Sequence, residues 1–282
     1  MKFEKWQALG NDYIILEAGS LVFDLTPPRI RRICASHVGI GSDGILLLHH
    51  SDEPGFVASL QIFNPDGSEA ELSGNGAREA FLYLSRNGWT REREFSIKTA
   101  AGAVRATLTT PTTCVVEMAP ARLSGPAFPS GGSDGRGVVH SGGRDWRFQH
   151  SDVGNPQCAI AMASETELAA LELADIGPAI EHSPLFPNRT NVSWYTVTGP
   201  ARIRARIFER GVGETSASGT GAIGAAVAYV LSGGQSPVSV ELDGGELTVE
   251  VDKNLQITLT GWAAPVFSGS FSDEFLEELR ET

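Results

Sequence analysis

The sequence predicts an α+β fold built as two similar domains, 1–120 and 121–265, with the C-terminal segment 266–282 able to pack back on the first. Three observations predict it. The segment SGNGA (73–77) returns as SGTGA (218–222), an offset of 218 − 73 = 145, and at that offset Ile62 meets Ile207, Phe63 meets Phe208, Glu69 meets Glu214 and Ala80 meets Ala225. The pair Gly10-Asn11 echoes Gly154-Asn155 at an offset of 144, so the likeness extends over most of each half. In both halves the pattern runs strand, glycine-rich turn, helix, then strand and turn.

Each element has a local reason. Thr26 caps and Pro27 and Pro28 prime a helix start, which places the RIRR run (29–32) with its arginines on a wet face. His49 and His50 read as surface residues ending a strand, and QIFN (61–64) as a strand that leads to the first serine. A short buried helix follows over 77–84, rich in alanine and leucine and free of proline. SIKTAAGAVRATL (96–108) sets glycine between alternating apolar residues, the mark of a hairpin. Residues 120–150, dense in Gly, Pro and Ser, form a connecting loop or hairpin. In the second half ARIRARIFE (201–209) sets isoleucines against arginines at period two, a helix follows over 222–231, and VSVELDGGELTVEVD (238–252) is another hairpin. SDEFLEELRE (272–281) reads as a serine-capped final helix.

Composition narrows the function. With 282 residues, 41% of them hydrophobic and 20% charged, the chain buries a substantial core. A formal net charge of −12 argues against nucleic acid and anionic membranes as partners, because both require a basic face, and leaves small molecules. The opening MKFEKWQALGNDY has no apolar signal core and no later segment approaches a membrane span. Three cysteines, Cys34, Cys114 and Cys158, suit a reducing cytoplasm. The six histidines include no pair at HxxxH or near a CxxC, so no metal is expected, and no flavin, nicotinamide or pyridoxal phosphate motif occurs.

The paired serines carry the chemistry. Each SGxGA turn presents consecutive backbone N–H groups at a helix N-terminus, where unpaired donors and the helix dipole favour an anion such as a carboxylate. Neither turn continues into Gly-Lys-Ser/Thr or fits GxGxxG with a ribose-binding acid, which disfavours phosphate. Neither context, ELSGN or SASGT, is GxSxG, which disfavours a serine hydrolase. Serines that serve only as N-caps remain the plain alternative for either turn alone, and the pairing weakens it.

Six further motifs surround these turns: LGNDY (9–13), GIGSDG (39–44), FNPDGSEAELSGNGAR (63–78), GNPQC (154–158), RTNVSW (189–194) and ERGVGETSASGTGA (209–222). On these motifs the chain resembles, over nearly its whole length, the diaminopimelate epimerases, cofactor-independent isomerases of lysine and peptidoglycan precursor synthesis. The resemblance implies two domains, each a β-barrel-like sheet around a central helix, with the active site in the cleft between them. It implies α-proton abstraction on one face of an amino-acid substrate and redonation on the other, without pyridoxal phosphate. A homodimer is an allowed assembly. Carried over by position, Asn11, Asn64, Asn155, Asn191, Glu209 and Arg210 match substrate-binding positions, and Gly74, Asn75, Gly219 and Thr220 match the carboxylate turns. The asparagines read equally as turn residues, and Glu209 with Arg210 as an ion pair.

The chain departs from the family at its centre. Ser73 and Ser218 stand where the family has catalytic cysteines, and Gln157, behind the substrate contacts, where it has histidine. A serine hydroxyl needs an adjacent base, and Glu209 is the candidate for one of the two. Cys158, beside Gln157, is expected to pack as a small apolar residue. The favoured reading is a natural relative of the diaminopimelate epimerases that works through the serines or through recruited carboxylates. A one-base isomerase or lyase, an engineered inactive form and a silent amino-acid binder are its alternatives.

Overall fold

In the computed structural model, which describes Met1–Thr282, one unit comprises Met1–Val116 and Gly261–Thr282 and a second Glu117–Thr260. The first contains β1 (Lys2–Ala8), β2 (Asn11–Glu17), α1 (Pro27–Cys34), β3 (Ile45–His50), β4 (Ala58–Phe63), β5 (Glu69–Ala70), α2 (Gly74–Arg86), β6 (Glu94–Thr99) and β7 (Gly102–Thr110), with β8 (Thr113–Met118) leading out of it. The second contains β9 (Arg136–Ser141), β10 (Arg144–Asp152), β11 (Pro156–Ala161), α3 (Glu165–Ala169), α4 (Leu173–Glu181), β12 (Asn191–Gly199), β13 (Arg202–Glu209), β14 (Gly213–Thr215), α5 (Gly219–Leu231), β15 (Val238–Leu242) and β16 (Gly245–Val251). After β17 (Ile257–Trp262), the chain rejoins the first unit with β18 (Ala264–Ser270) and α6 (Asp273–Glu281). The α+β fold in two repeated halves is therefore present.

The repeat extends to strand pairing. In the first unit β18, β1 and β2 are antiparallel neighbours, β2 runs parallel to β3, β3 antiparallel to β4, and β4 parallel to β6. In the second, β9, β10 and β11 are antiparallel, β11 runs parallel to β12, β12 antiparallel to β13, and β13 parallel to β15. Parallel neighbours need a crossover, and α2 and α5 supply it after β4 and β13. Strand β18 thus takes beside β1 the position that β9 takes beside β10, although it arrives from the far end of the chain.

Both crossover helices are interior. α2 is buried from Gly74 to Leu84 and packs on β1, β2, β3 and β7. α5 is buried from Gly219 to Tyr229 and packs on β10, β11, β12, β13, β15 and β16. The opposite faces of these sheets are also covered. Ile14, Leu16, Ile45 and Leu47 pack with Ile30 and Ile33 of α1 and Leu276 and Leu279 of α6. Cys158, Ile160, Val192 and Trp194 pack with Leu168 of α3 and Leu173 and Ile180 of α4. Coverage on both faces explains why β2 and β3 read as continuous apolar runs rather than alternating ones. Cys158 is fully buried there, and burial pushes its thiol well above the ordinary range, which fits packing and not reactivity.

Local caps form as expected: the Arg29 N–H approaches Thr26 Oγ1 at 3.5 Å, and Phe275 N donates to Ser272 Oγ at 3.2 Å. The arginines of α1 do more than face water. Arg29 Nε and Nη2 donate to the Leu279 and Arg280 carbonyls at the end of α6, and Arg32 reaches both carboxylate oxygens of Glu278. Carbonyls left unpaired at a helix C-terminus attract such cations, a pairing between segments that neither one reveals alone. The turn after α1 is equally tight, since a Cβ at Gly39 would fall 2.2 Å from the Arg32 carbonyl oxygen and 2.5 Å from that of Ile33. Gly39→Ala is expected to cost about 1–3 kcal/mol, read as a lower urea midpoint.

Candidate active site

Both helices start on a serine. Ser73 (φ −126°) and Ser218 (φ −137°) are the N-caps of α2 and α5, accepting from Gly76 N at 3.0 Å and Gly221 N at 3.2 Å. The helices therefore begin three residues earlier than the composition predicts, with the glycines inside the first turn. The small residues are needed there because the turn is crowded: a Cβ at Gly221 would lie 2.7 Å from Ile207 Cδ1. The first helical N–H groups, those of Gly74, Asn75, Gly219 and Thr220, have no acceptor within their helix, which leaves paired donors for an anion in each unit.

In the second unit Ser218, 3% exposed, donates its hydroxyl to Glu209 Oε2 at 3.0 Å. Glu209 ends β13, and its Oε1 accepts from Thr215 Oγ1 at 2.8 Å, which holds the carboxylate against the serine. Asn155 Nδ2 donates to Thr220 Oγ1 at 3.2 Å, while Gln157 Nε2 donates to Asn155 Oδ1 at 2.6 Å. Gln157 is fully buried against α5, where a Cβ at Gly224 would come within 2.8 Å of its own Cβ. Asn191 accepts from Arg210 N at 2.9 Å and donates to the Pro156 carbonyl at 3.2 Å, leaving one amide hydrogen and one lone pair uncommitted by these contacts. Arg210 Nη1 donates to the Asn188 carbonyl at 3.1 Å.

In the first unit Tyr13, 6% exposed, donates its phenol to Ser73 Oγ at 3.3 Å. Asn75 Nδ2 donates to Asn11 Oδ1 at 3.1 Å, and Asn11 Nδ2 donates in turn to Asp43 Oδ2 at 2.9 Å. This repeats the Asn155–Thr220 contact, so each unit ties the asparagine of its Gly-Asn pair to the second residue of its buried helix. Arg78, fully buried, completes the chain by donating to Asn75 Oδ1 at 2.6 Å and to the Gly74 carbonyl at 2.9 Å. Burial pulls its guanidinium down to about 10. Asn64 lies in the β4–β5 turn and donates to Ser68 Oγ at 3.0 Å.

The structure thus brings together Ser218 with Glu209, Asn155 with Thr220 and Gln157, Asn191 with Arg210, and Asn11 with Asn75. It also adds four residues to which no site role was attached from the sequence: Tyr13, Asp43, Arg78 and Thr215. Tyr13 was open to discovery, since it stands two residues after Asn11 and so shares its strand face. Asp43, Arg78 and Thr215 lie inside the motifs GIGSDG, FNPDGSEAELSGNGAR and ERGVGETSASGTGA, but nothing local in the chain says which side chains they meet.

Comparison with known proteins gives this arrangement a family. A sequence profile described as diaminopimelate epimerase matches residues 3–124 and 150–265. The diaminopimelate epimerase of Synechococcus elongatus is 38% identical over 280 residues, covering 96% of this chain and 98% of its own. Diaminopimelate epimerase 2 of a Nostoc species is 38% identical over 280 residues, covering 97% of this chain and 96% of its own. Among solved structures, a probable proline racemase from Agrobacterium radiobacter, with bound carbonate, shares the fold at a TM-score of 0.69 and 16% identity, over 96% of this chain and 93% of that one. With a family profile over most of its length and relatives of this identity along nearly all of it, the chain belongs to the diaminopimelate epimerase family and is an isomerase of the epimerase type.

Proposed function

We propose that this isomerase interconverts LL- and meso-diaminopimelate by removing the α-proton and returning one to the opposite face, with serines where thiols usually act. The observation that carries the reading is the Ser218–Glu209 contact of 3.0 Å at the N-terminus of a buried helix. A serine alone is a poor base, and a carboxylate bonded to its hydroxyl can take the serine proton as the oxygen takes the α-proton. The C–H electron pair then stays on the substrate and spreads into its carboxylate, which the open N–H groups at the helix starts are suited to bind. Inversion calls for a second proton-transfer group on the opposite face, the role proposed for Ser73.

Diaminopimelate is favoured as substrate because Asn64, Asn155, Asn191, Glu209 and Arg210 offer amides, a carboxylate and a guanidinium, the groups that would read a second ammonium and carboxylate head. The test is LL-diaminopimelate in heavy water followed by proton NMR. Loss of the α-proton signal with growth of the meso isomer is expected, together with tighter calorimetric binding of diaminopimelate than of alanine. Binding without exchange would leave a silent binder, and a new product would indicate a lyase.

A further inference from the structure

We propose that Tyr13 is a positioning residue that fixes the Ser73 hydroxyl as a proton donor, so that the two serines have opposite and preset roles. The geometry stands by itself; assigning the proton to a substrate α-carbon rests on the epimerase reading above. A serine hydroxyl has one hydrogen and two lone pairs. At Ser73 both lone pairs are engaged, one by the Tyr13 phenol at 3.3 Å and one by Gly76 N at 3.0 Å, so what remains to offer a ligand is its own O–H. At Ser218 the hydrogen is given to Glu209 and one lone pair accepts from Gly221 N, so what remains is a lone pair. Ser73 is therefore set to give a proton and Ser218 to take one.

The internal repeat sharpens the contrast. At the offset of 144 the counterpart of Tyr13 is Gln157, which donates to Asn155 and not to the serine of its own unit. At the offset of 145 the counterpart of Glu209 is Asn64, which donates to Ser68. Each serine thus draws its partner from a different one of two equivalent positions, a phenol in one unit and a carboxylate in the other. The phenol is also held in place. A Cβ at Gly44 would lie 2.8 Å from Tyr13 Cε1 and 2.2 Å from the Phe63 carbonyl oxygen, so the ring occupies space that any residue larger than glycine would contest.

The proton balance follows. Ser218 Oγ takes the α-proton while its own proton passes to Glu209, and the C–H electron pair remains on the substrate as a carbanion stabilised by its carboxylate. Ser73 gives its proton to the other face of that carbon and recovers one from Tyr13, leaving a phenolate. Water then takes the proton from Glu209 and returns one to Tyr13. The net transfer within one turnover runs from Tyr13 to Glu209.

Two measurements test this, one of them independent of turnover. In heavy water with LL-diaminopimelate, Tyr13→Phe should keep abstraction but slow redonation, so the ratio of deuterated LL isomer recovered to meso isomer formed rises about tenfold or more. An unchanged ratio overturns the proposal. If wild-type protein exchanges no proton, the diaminopimelate reading fails, and the second measurement still decides the role of Tyr13. In S73C the thiol would receive the phenol's hydrogen bond, which favours the thiolate. Its iodoacetamide alkylation at pH 7 should then be several-fold faster than in the S73C/Y13F double variant, against a quiet background because Cys34, Cys114 and Cys158 are buried. Equal rates in folded proteins overturn the proposal. Should Y13F fail to fold, S73C is compared with S218C, where the Glu209 carboxylate disfavours a thiolate, and a more acidic thiol in S218C would overturn it.

Discussion

Glu209→Gln is expected to reduce α-proton exchange and isomerisation together by ~10²- to 10⁴-fold, the range over which a positioned general base contributes. The amide nearly preserves the shape of the side chain and keeps a carbonyl oxygen to meet Ser218 or Thr215, so the loss reports basicity and not packing. Exchange in heavy water, followed by NMR for both stereoisomers, checks it. Affinity should also fall, since the Glu209 carboxylate is among the groups proposed to read an ammonium, but by less than turnover, because the N–H groups of the helix turns still hold the carboxylate. Full exchange in this variant would remove Glu209 from the mechanism. The proposed roles predict a contrast with Tyr13→Phe: Glu209→Gln should slow abstraction, while Tyr13→Phe should let abstraction continue and impair return on the other face.

The second large effect concerns stability. Glu79 is fully buried in α2, neither of its carboxyl oxygens has a hydrogen-bond partner, and burial raises its pKa well above the ordinary carboxyl range despite the adjacent Arg78 charge. Asp12 and Asp43 push in the same direction. An acid whose folded pKa lies above its unfolded value binds more protons in the native state. Its contribution is complete below about pH 4.3 and is lost as pH rises through the folded pKa. Glu79→Gln cannot ionise, so it should be free of that loss. Urea unfolding at pH 5 and pH 8 is expected to show the variant gaining on wild type at the higher pH, with each tenfold difference in proton affinity crossed worth about 1.4 kcal/mol. A gap that stays constant between the two pH values would mean that Glu79 is ionised in the folded protein.

Much of this was written locally in the chain. Thr26, Ser73, Ser218 and Ser272 cap their helices because a hydroxyl one residue before a helical stretch satisfies an otherwise orphaned N–H, a relation spanning only three residues. The Ile/Arg alternation of β13 and the glycine-centred β6–β7 and β15–β16 hairpins depend on neighbours within a few positions. The SGxGA repeat carried the duplication itself, and the motifs around it carried the family.

What the sequence alone determined, then, was the set of elements, their twofold recurrence and the serines at two buried helix starts. Tertiary structure decided which side chains meet them. Tyr13 reaches Ser73 across 60 residues because parity on β2 turns it toward α2, and because Gly44, on another segment, leaves room for the ring. Strand β18 completes the first sheet from the opposite end of the chain, since the unpaired edge of β1 can be filled by any segment that the fold delivers there. Glu79 stands in a helix that its alanines and leucines mark as buried, yet nothing in that composition says that the carboxylate itself keeps no access to water. Only the sheet around α2, made of strands before and after it in sequence, removes its water and changes its charge. Capping and alternation follow from nearest neighbours in the chain, whereas proton affinity and hydrogen-bond partners follow from nearest neighbours in space.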